Sequence, residues 1–364
     1  MKARSLYLLV LLAGYLCWSC NKSTMTNQSG GQVSLKSALT TSVQSLTTAV
    51  NQITTSSGYQ VVLGPSDLLT KSATISPFDT ITHGILLANI TGIYNYKDTL
   101  YRVGRQSIMH FFTKSKDTTI MVVRLPVSKV LNSHTLLHYL PGDRLLANDY
   151  VINLTDYSYT FKHHYGYDYR MATTTKIKGV SAGSYKIKSS RNKTTNALYS
   201  AEYDFPNGYI AKITYSAGDS AVSDYSISNG TSVLFEEKYL SIRNDSVCER
   251  RETNYALTIG NVMIVRQLDH GKAMLDSAKV YLNGILQLNA KVTVLNKTAD
   301  KVDNTLTGKR RDLQITFEDG TTATLSSLAN AAIPNINVLF TSLRQANFAT
   351  SIVDWIAWDI YSSH

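Results

Sequence analysis

Residues 156–171 read DYSYTFKHHYGYDYRM, and their alternation is unbroken. The odd positions are Tyr157, Tyr159, Phe161, His163, Tyr165, Tyr167, Tyr169 and Met171, and the even positions are Asp156, Ser158, Thr160, Lys162, His164, Gly166, Asp168 and Arg170. Successive side chains of a strand point to opposite faces, so one face of this segment is aromatic and the other polar. Because the parity survives the middle, the segment is either one very long strand or a hairpin with an odd number of loop residues. The hairpin is preferred, with Gly166 supplying a positive φ at the turn. Two uses fit the aromatic face. It is a packing layer of the core or rim, or it is the wall of a ligand cavity or a sugar-stacking platform; for the second use Tyr157, Tyr159, Phe161, Tyr165, Tyr167 and Tyr169 are the binding candidates.

The same grammar extends outward from this stretch. Between residues 92 and 317 alternating segments are separated by turns, and Asn207-Gly208, Asn229-Gly230 and Asn283-Gly284 each carry the strongest short-range hairpin signature. They pair 198–204 with 209–215, 222–228 with 233–242, and 279–282 with 285–294. Neighbours in sequence that pair through tight turns make a largely antiparallel sheet. The composition agrees: 23 Tyr outnumber 9 Phe and 3 Trp together, and 6 Pro in 364 residues leave long strands uninterrupted. Only six of the 26 acids are Glu, which argues against a long charged helical bundle.

Helical periodicity is confined to the two ends. Leu35, Leu39, Val43, Leu46, Val50 and Ile53 recur at steps of three and four, with Ser34 as N-cap and a stop at Ser56-Ser57-Gly58. Near the C-terminus Val338, Leu339, Leu343, Ala346, Ile352, Val353, Ile356 and Ile360 recur on one side, Pro334 suits a helix start, and Asn347 marks a break. Trp355 and Trp358 share a face. The expected fold is therefore α+β and predominantly antiparallel: a large curved sheet, or open half barrel, with one face covered by the N-terminal and C-terminal helices. Residues 34–364 form its single β-rich domain; the alternative is a division near Pro141-Gly142. No tandem repeat of fixed period supports a solenoid or propeller.

Ahead of the first helix, Lys2 and Arg4 precede an apolar run over residues 6–16 that is too short to span a bilayer but suits a secretory signal over residues 1–19. Cys20, after Leu16-Cys17-Trp18-Ser19, resembles the acceptor cysteine of a bacterial lipoprotein, and Cys17 and Ser19 also satisfy the −3 and −1 positions of ordinary cleavage. Residues 20–33 form a polar Gly/Ser tether. Loss of the leader removes two cations, so a formal charge of 36 − 26 = +10 becomes 34 − 26 = +8. With Cys20 lipidated, Cys248 has no partner for an intrachain disulfide.

Chemistry is sparse. The sequence has no dinucleotide fingerprint, phosphate loop, nucleophile elbow or zinc-protease helix. His134 and His138 have helical metal spacing but no intervening Glu, and they run straight into a Leu-Pro-Gly-Asp turn, so no metal or other cofactor is expected. Glu236 and Glu237 are adjacent in a strand and point oppositely; Asp156 and Asp168 share a face and would approach one another in the hairpin, making them the acid pair of a hydrolase. Catalysis is the least favoured reading, and the protein is expected not to be an enzyme. Lys309-Arg310-Arg311 is the densest basic group, read as solvated turn charge rather than a nucleic-acid site. Six triplets, starting at Asp79, Asp98, Asp117, Asp219, Asp245 and Asp276, place Thr80, Thr99, Thr118, Ser220, Ser246 and Ser277 in an Asp-(Ser/Thr)-x setting, against roughly two expected by composition. Turn-then-strand grammar also produces such triplets.

In its leader ending at Cys20, its Ser/Thr-rich helix, its long Tyr/Thr-rich β region and its amphipathic C-terminus, the chain resembles the large exported lipoproteins of Bacteroidota. The resemblance is one of overall style. It implies lipid attachment at Cys20, and the triplets resemble the acceptor sites of general O-glycosylation in that phylum. Surface-exposed members carry acids after the lysine that follows the cysteine; here Lys22 is followed by Ser23-Thr24-Met25, which points to the periplasmic face of a membrane. The expected function is a membrane-tethered periplasmic binding or carrier protein for an apolar or amphipathic ligand. The alternative is a glycan-binding or structural protein of the cell envelope.

Overall fold

A computed structural model describes residues 33–63, 83–97, 108–131, 147–162, 166–192, 197–218, 220–243, 251–269, 278–295, 312–344 and 348–362. The described residues from Leu35 onward form one compact unit, built as an α+β fold around a single sheet that, among the described residues, has 18 strands and does not close on itself.

The sheet opens with β1 (His83–Leu86), β2 (Gly92–Tyr96), β3 (Phe112–Lys116) and β4 (Met121–Leu125). Its long central strands are β5 (Tyr150–Lys162), β6 (Gly166–Ile177), β7 (Val180–Asn192), β8 (Ala197–Asp204), β9 (Tyr209–Ala217), β10 (Ser220–Asn229), β11 (Ser232–Arg243), β12 (Arg251–Ile259) and β13 (Val262–Asp269). Each of these pairs with its sequence neighbour in antiparallel register. The far side continues through β14 (Ala278–Leu282), β15 (Ile285–Leu286), β16 (Lys291–Leu295), β17 (Asp312–Thr316) and β18 (Thr322–Thr324). Among the described strands the one parallel pairing is β2 with β4. β5 is long enough to pair with β4 along its first half and with β1 along its second. Strands from both sides of Pro141-Gly142 thus share one sheet; those two residues lie outside the described ones.

The predicted central hairpin forms. Tyr159 faces Tyr169, Tyr157 faces Met171 and Phe161 faces Tyr167, and Lys162 pairs with Gly166 at the end of the ladder. Gly166 has φ +121, and a Cβ there would sit 1.7 Å from the Arg191 carbonyl oxygen, so no other residue fits the turn. The Asn207-Gly208 and Asn229-Gly230 hairpins pair as expected. The third differs: after Asn283-Gly284 the return strand lasts two residues, and Lys291–Leu295 pairs along its length with β17, touching β14 only at Ala278 and Val292. Leu288, 86% exposed, stands in the gap between β15 and β16.

Helices cover the apolar face. Helix α1 (Leu35–Thr54) buries all six predicted positions together with Ala38 and Ala49 against β11, β12 and β13. It is held at both ends of its span: the Leu35 N–H donates to the Glu318 carboxylate at 3.0 Å, and the Tyr209 hydroxyl donates to Gln52 at 2.7 Å. A short helix, α2 (Ser57–Val62), N-capped by Ser56, leans on β7. After α3 (Val127–Leu131) and α4 (Leu325–Leu328), the C-terminal pair α5 (Ile333–Arg344) and α6 (Phe348–Ser362) completes the cover. In α5 the buried stripe is Ile336, Leu339, Phe340 and Leu343; Val338, expected among them, is 45% exposed because its position falls on the outer side of the helical repeat. The opposite face of the sheet is wet and laced by ion pairs, with Lys186 bridging Glu202 and Asp204 and Lys212 reaching Glu202.

Candidate functional site

The aromatic face points inward because of one extra residue. On β5 the inward side chains are Tyr150, Ile152 and Leu154, all even-numbered and each no more than 2% exposed, followed by Tyr157 and Tyr159, which are odd. The register shifts between Leu154 and Asp156, so Thr155 forms a bulge that exchanges the two faces. Without it the tyrosines would lie on the solvent side.

Pairing then aligns residues that are scattered in sequence. Tyr159, Tyr169, Ser189, Tyr199, Tyr215, Ser223, Tyr239, Tyr255 and Arg266 are successive partners across β5 to β13 and form one cross-strand row on the helix-covered face. Its cover is uneven. Tyr159 is 7% exposed, Tyr169, Tyr199, Tyr239 and Tyr255 are half-buried, and Tyr215 is 40% exposed. Two hydroxyls in or beside the row cap α5: Tyr199 donates to the Leu343 carbonyl at 2.9 Å and Tyr185 to the same oxygen at 3.2 Å. Tyr255 donates to the buried carboxylate of Glu237 at 3.0 Å. Burial pushes the Tyr199 hydroxyl up to about 12.

Helix α6 lies over the covered end. Trp358 packs edge-on against Tyr159 with ring centroids 5.5 Å apart, and Tyr169 stands at steep angles to both Tyr157 and Tyr159. Asp354, one turn before Trp358, accepts hydrogen bonds from the Tyr157 hydroxyl at 2.9 Å and from the Tyr169 hydroxyl at 3.1 and 3.2 Å. Enclosure by these rings pushes the Asp354 carboxyl up to about 7, although the two phenol donors pull the other way. Burial, reinforced by the same carboxyl, raises the Tyr157 and Tyr169 hydroxyls well above the ordinary phenol value. Sequence reasoning missed Asp354; the one trace of it is an acid in a turn otherwise composed of Ile352, Val353, Trp355 and Ile356.

Tyr157 and Tyr159 are buried, Tyr167, Tyr169 and Phe161 half-buried, and the Tyr167 hydroxyl shares a hydrogen bond with Ser189. Asp156 and Asp168 do share the outer face but do not meet: Asp156 faces Ala172 and Asp168 faces Thr160, four residues or about 13 Å along the strand. Arg170 lies between them and pairs with Asp156 at 3.1 Å, so the expected acid pair is not assembled. Glu236 and Glu237 diverge as predicted, the first paired outside with Lys238 at 2.7 Å and the second buried within. Thr118 bonds the Ile120 carbonyl in the turn before β4, and Ser220 begins β10, both at turn-to-strand junctions. Among the described residues no His, Cys, Asp and Glu side chains gather into a metal-binding group, and no helix is long and apolar enough to cross a membrane. Cys20, Thr80, Thr99, His134, His138, Tyr165, Ser246, Cys248 and Ser277 lie outside the described residues. No family model, curated protein or solved structure matches the chain.

Proposed function

We propose that this protein is a membrane-tethered carrier of the cell envelope that holds an apolar or amphipathic ligand between the aromatic face of its sheet and the covering helices. The observation that carries this reading is the graded cover of the tyrosine row, which is sealed under α6 at Tyr159 and open at Tyr215. An amphiphile needs such a gradient, because its chain gains from a covered apolar wall while its head group stays hydrated. Lipid at Cys20 and the polar tether belong to the same reading; they would keep the module beside the bilayer that supplies the ligand.

Solvent extraction and mass spectrometry of the protein purified from membranes test the proposal. A co-purifying amphiphile at near-stoichiometric amount is the expected result, and a ligand-free protein that takes up no fluorescent fatty-acyl probe would refute it. The glycan-platform alternative needs the rings of Tyr157, Tyr159, Tyr167 and Tyr169 open in a flat row, and two of them are covered while the other two are half-covered.

A further inference from the structure

We infer that the tip formed by Ile285, Leu286 and Leu288, with the outer face beside it, is a seat for an anionic lipid surface, so that the domain rests on a bilayer through its own side chains. This deepens the membrane-tethered part of the proposed function and assumes nothing about the carried ligand. The three side chains are 58%, 39% and 86% exposed and fall within four consecutive residues. Single exposed apolar residues are ordinary; a contiguous group is not. The backbone holds the group in place: the Gln287 N–H donates to the Val280 carbonyl at 2.8 Å, the Gln287 side-chain amide to the Ile285 carbonyl at 3.0 Å, and the Ala290 N–H to the Gln287 carbonyl at 3.3 Å. The last bond closes a turn with Leu288 at its second position, where proline and small polar residues are favoured. Ile285 lies opposite Leu282 and Leu286 opposite Tyr281, so the two leave opposite faces of the sheet. A rigid partner presents one surface and could not cover all three side chains, whereas the fluid apolar margin of a bilayer can.

Charge completes the seat. On the outer face Leu286 is continued by Tyr281 and, across the ladder, Met263, both half-buried, and a tyrosine ring suits head-group depth. Ala278 faces Val292, so one step along this antiparallel register Lys279 and Lys291 lie side by side. Both are exposed, and residues 278–295 contain no acid. Like charges placed opposite one another are destabilising, and a lipid phosphate between them offsets that. The acids of the neighbouring β17–β18 turn are already engaged: Glu318 accepts the Leu35 N–H at 3.0 Å and Asp319 pairs with Lys36 at 3.2 Å. Farther along the outer face the lysines are matched with acids, Lys212 with Glu202 and Lys238 with Glu236, so the unbalanced charge is local. Thr316, at the end of β17, faces Lys291, and the turn that receives the start of α1 therefore lies beside the tip. A link from Cys20 would join the domain at Leu35, at this same end, and hold the tip to the bilayer. The tyrosine row, on the helix-covered face, stays clear of the contact.

Vesicle sedimentation provides the test. The chain from residue 21 onward holds the whole compact unit and lacks Cys20; it is mixed with vesicles of phosphatidylethanolamine and phosphatidylglycerol in equal parts, and with vesicles of phosphatidylcholine alone. The anionic vesicles should bind it at least about tenfold tighter than the neutral ones. Ile285→Ser, Leu286→Ser and Leu288→Ser together should weaken that binding at least about tenfold, and Lys279→Gln with Lys291→Gln should narrow the difference between the two vesicles several-fold. The serine changes are at exposed positions and should leave the melting curve where it is; Leu288→Ser alone, with a several-fold loss expected, serves if they do not. Tryptophan emission of a Leu288→Trp variant should be quenched by bromine carried on the acyl chains, with the wild type correcting for Trp355 and Trp358. Three side chains make a reversible contact, so high salt and dilution should release this unlipidated chain. Binding to neither vesicle, binding unchanged by serine, or an unquenched Leu288→Trp would overturn the inference. A dimer in solution that the serine changes dissociate would also overturn it, because the tip is then a contact between copies. Failure of fatty-acid labelling at Cys20, or of acyl-probe uptake, counts instead against the tethered carrier and leaves these outcomes untouched.

Discussion

Tyr157 and Asp354 lie 197 positions apart in the chain and meet at 2.9 Å, hydroxyl to carboxylate, across the seam between β5 and α6. Their contact ties the last helix to the central hairpin through a polar bond set among aromatic rings. In a largely apolar seam such a bond fixes position more than it adds stability, because both groups must leave water to make it.

The folded protein holds the Asp354 carboxyl near 7, against 3.8 for an ordinary aspartate, so the native state keeps a proton that the unfolded chain releases. This stabilisation is fully present below about pH 4 and is lost as pH rises to about 7, at most about 4 kcal/mol for a shift of this size. Asp354→Asn keeps an acceptor for the tyrosines and cannot ionise. Its urea-unfolding midpoint should exceed that of the wild type at pH 8, and the two should converge towards pH 4. A wild type no less stable than the variant at pH 8 would contradict the assignment.

Much of the fold was legible because it follows from local rules. The alternation in residues 156–171, the Asn-Gly turns and the helical spacing of Leu35 to Ile53 each fix an element without long-range information. The candidate site was only half legible. Its tyrosines at 157, 159 and 169 stood out, but Tyr199, Tyr215, Tyr239 and Tyr255 join them only through the registers of six further strand pairs, and Asp354 arrives from a helix whose docking no local pattern encodes. The failed Asp156 and Asp168 pairing has the same origin, since sharing a face says nothing of distance along it.

The bulge gives a sharper test of the inward face. Thr155 is exposed, and its hydroxyl donates to the Ala172 carbonyl at 3.2 Å, so Thr155→Ala should cost under about 1 kcal/mol. Deleting Thr155 instead leaves Tyr157 and Tyr159 on the wrong parity and should abolish cooperative unfolding. Comparable melting curves for the two variants would show that the bulge does not set the faces.

Gly58 fixes the seat of α2. A Cβ there would come within 2.6 Å of the Ala182 carbonyl oxygen and 3.0 Å of the Tyr203 and Phe205 rings. Alanine is the better helix former, yet Gly58→Ala should destabilise by about 1–3 kcal/mol, because β7 backbone cannot move aside. Thermal melting decides the sign.

The carrier reading separates stability from binding along the tyrosine row. Tyr159→Ala removes a covered ring and its contact with Trp358, and should cost about 3 kcal/mol. Tyr215→Ala, at the open end, should change stability by no more than about 0.5 kcal/mol and weaken binding of a fluorescent acyl probe several-fold. Unchanged probe affinity in Tyr215→Ala would remove the open half of the row from the site.

The proposed lipid anchor at Cys20 would set where the protein works. A lipoprotein cysteine carries a diacylglyceryl thioether and an N-acyl chain, which together give the multiple-chain attachment that stable membrane residence needs, where one chain would be marginal. Cys20→Ala should therefore release the protein from the membrane fraction, and Cys17→Ala should leave it there. With residues 1–19 removed as proposed, the formal charge of 34 − 26 = +8 would favour adhesion to anionic lipid, so the fractions are washed in high salt, which screens exposed charge. Growth with a labelled fatty acid should mark the wild type and not the Cys20→Ala variant. If that variant stays bound after the wash, or the wild type takes up no label, attachment is not through Cys20, and a carrier of this fold would have to reach its ligand without a tether.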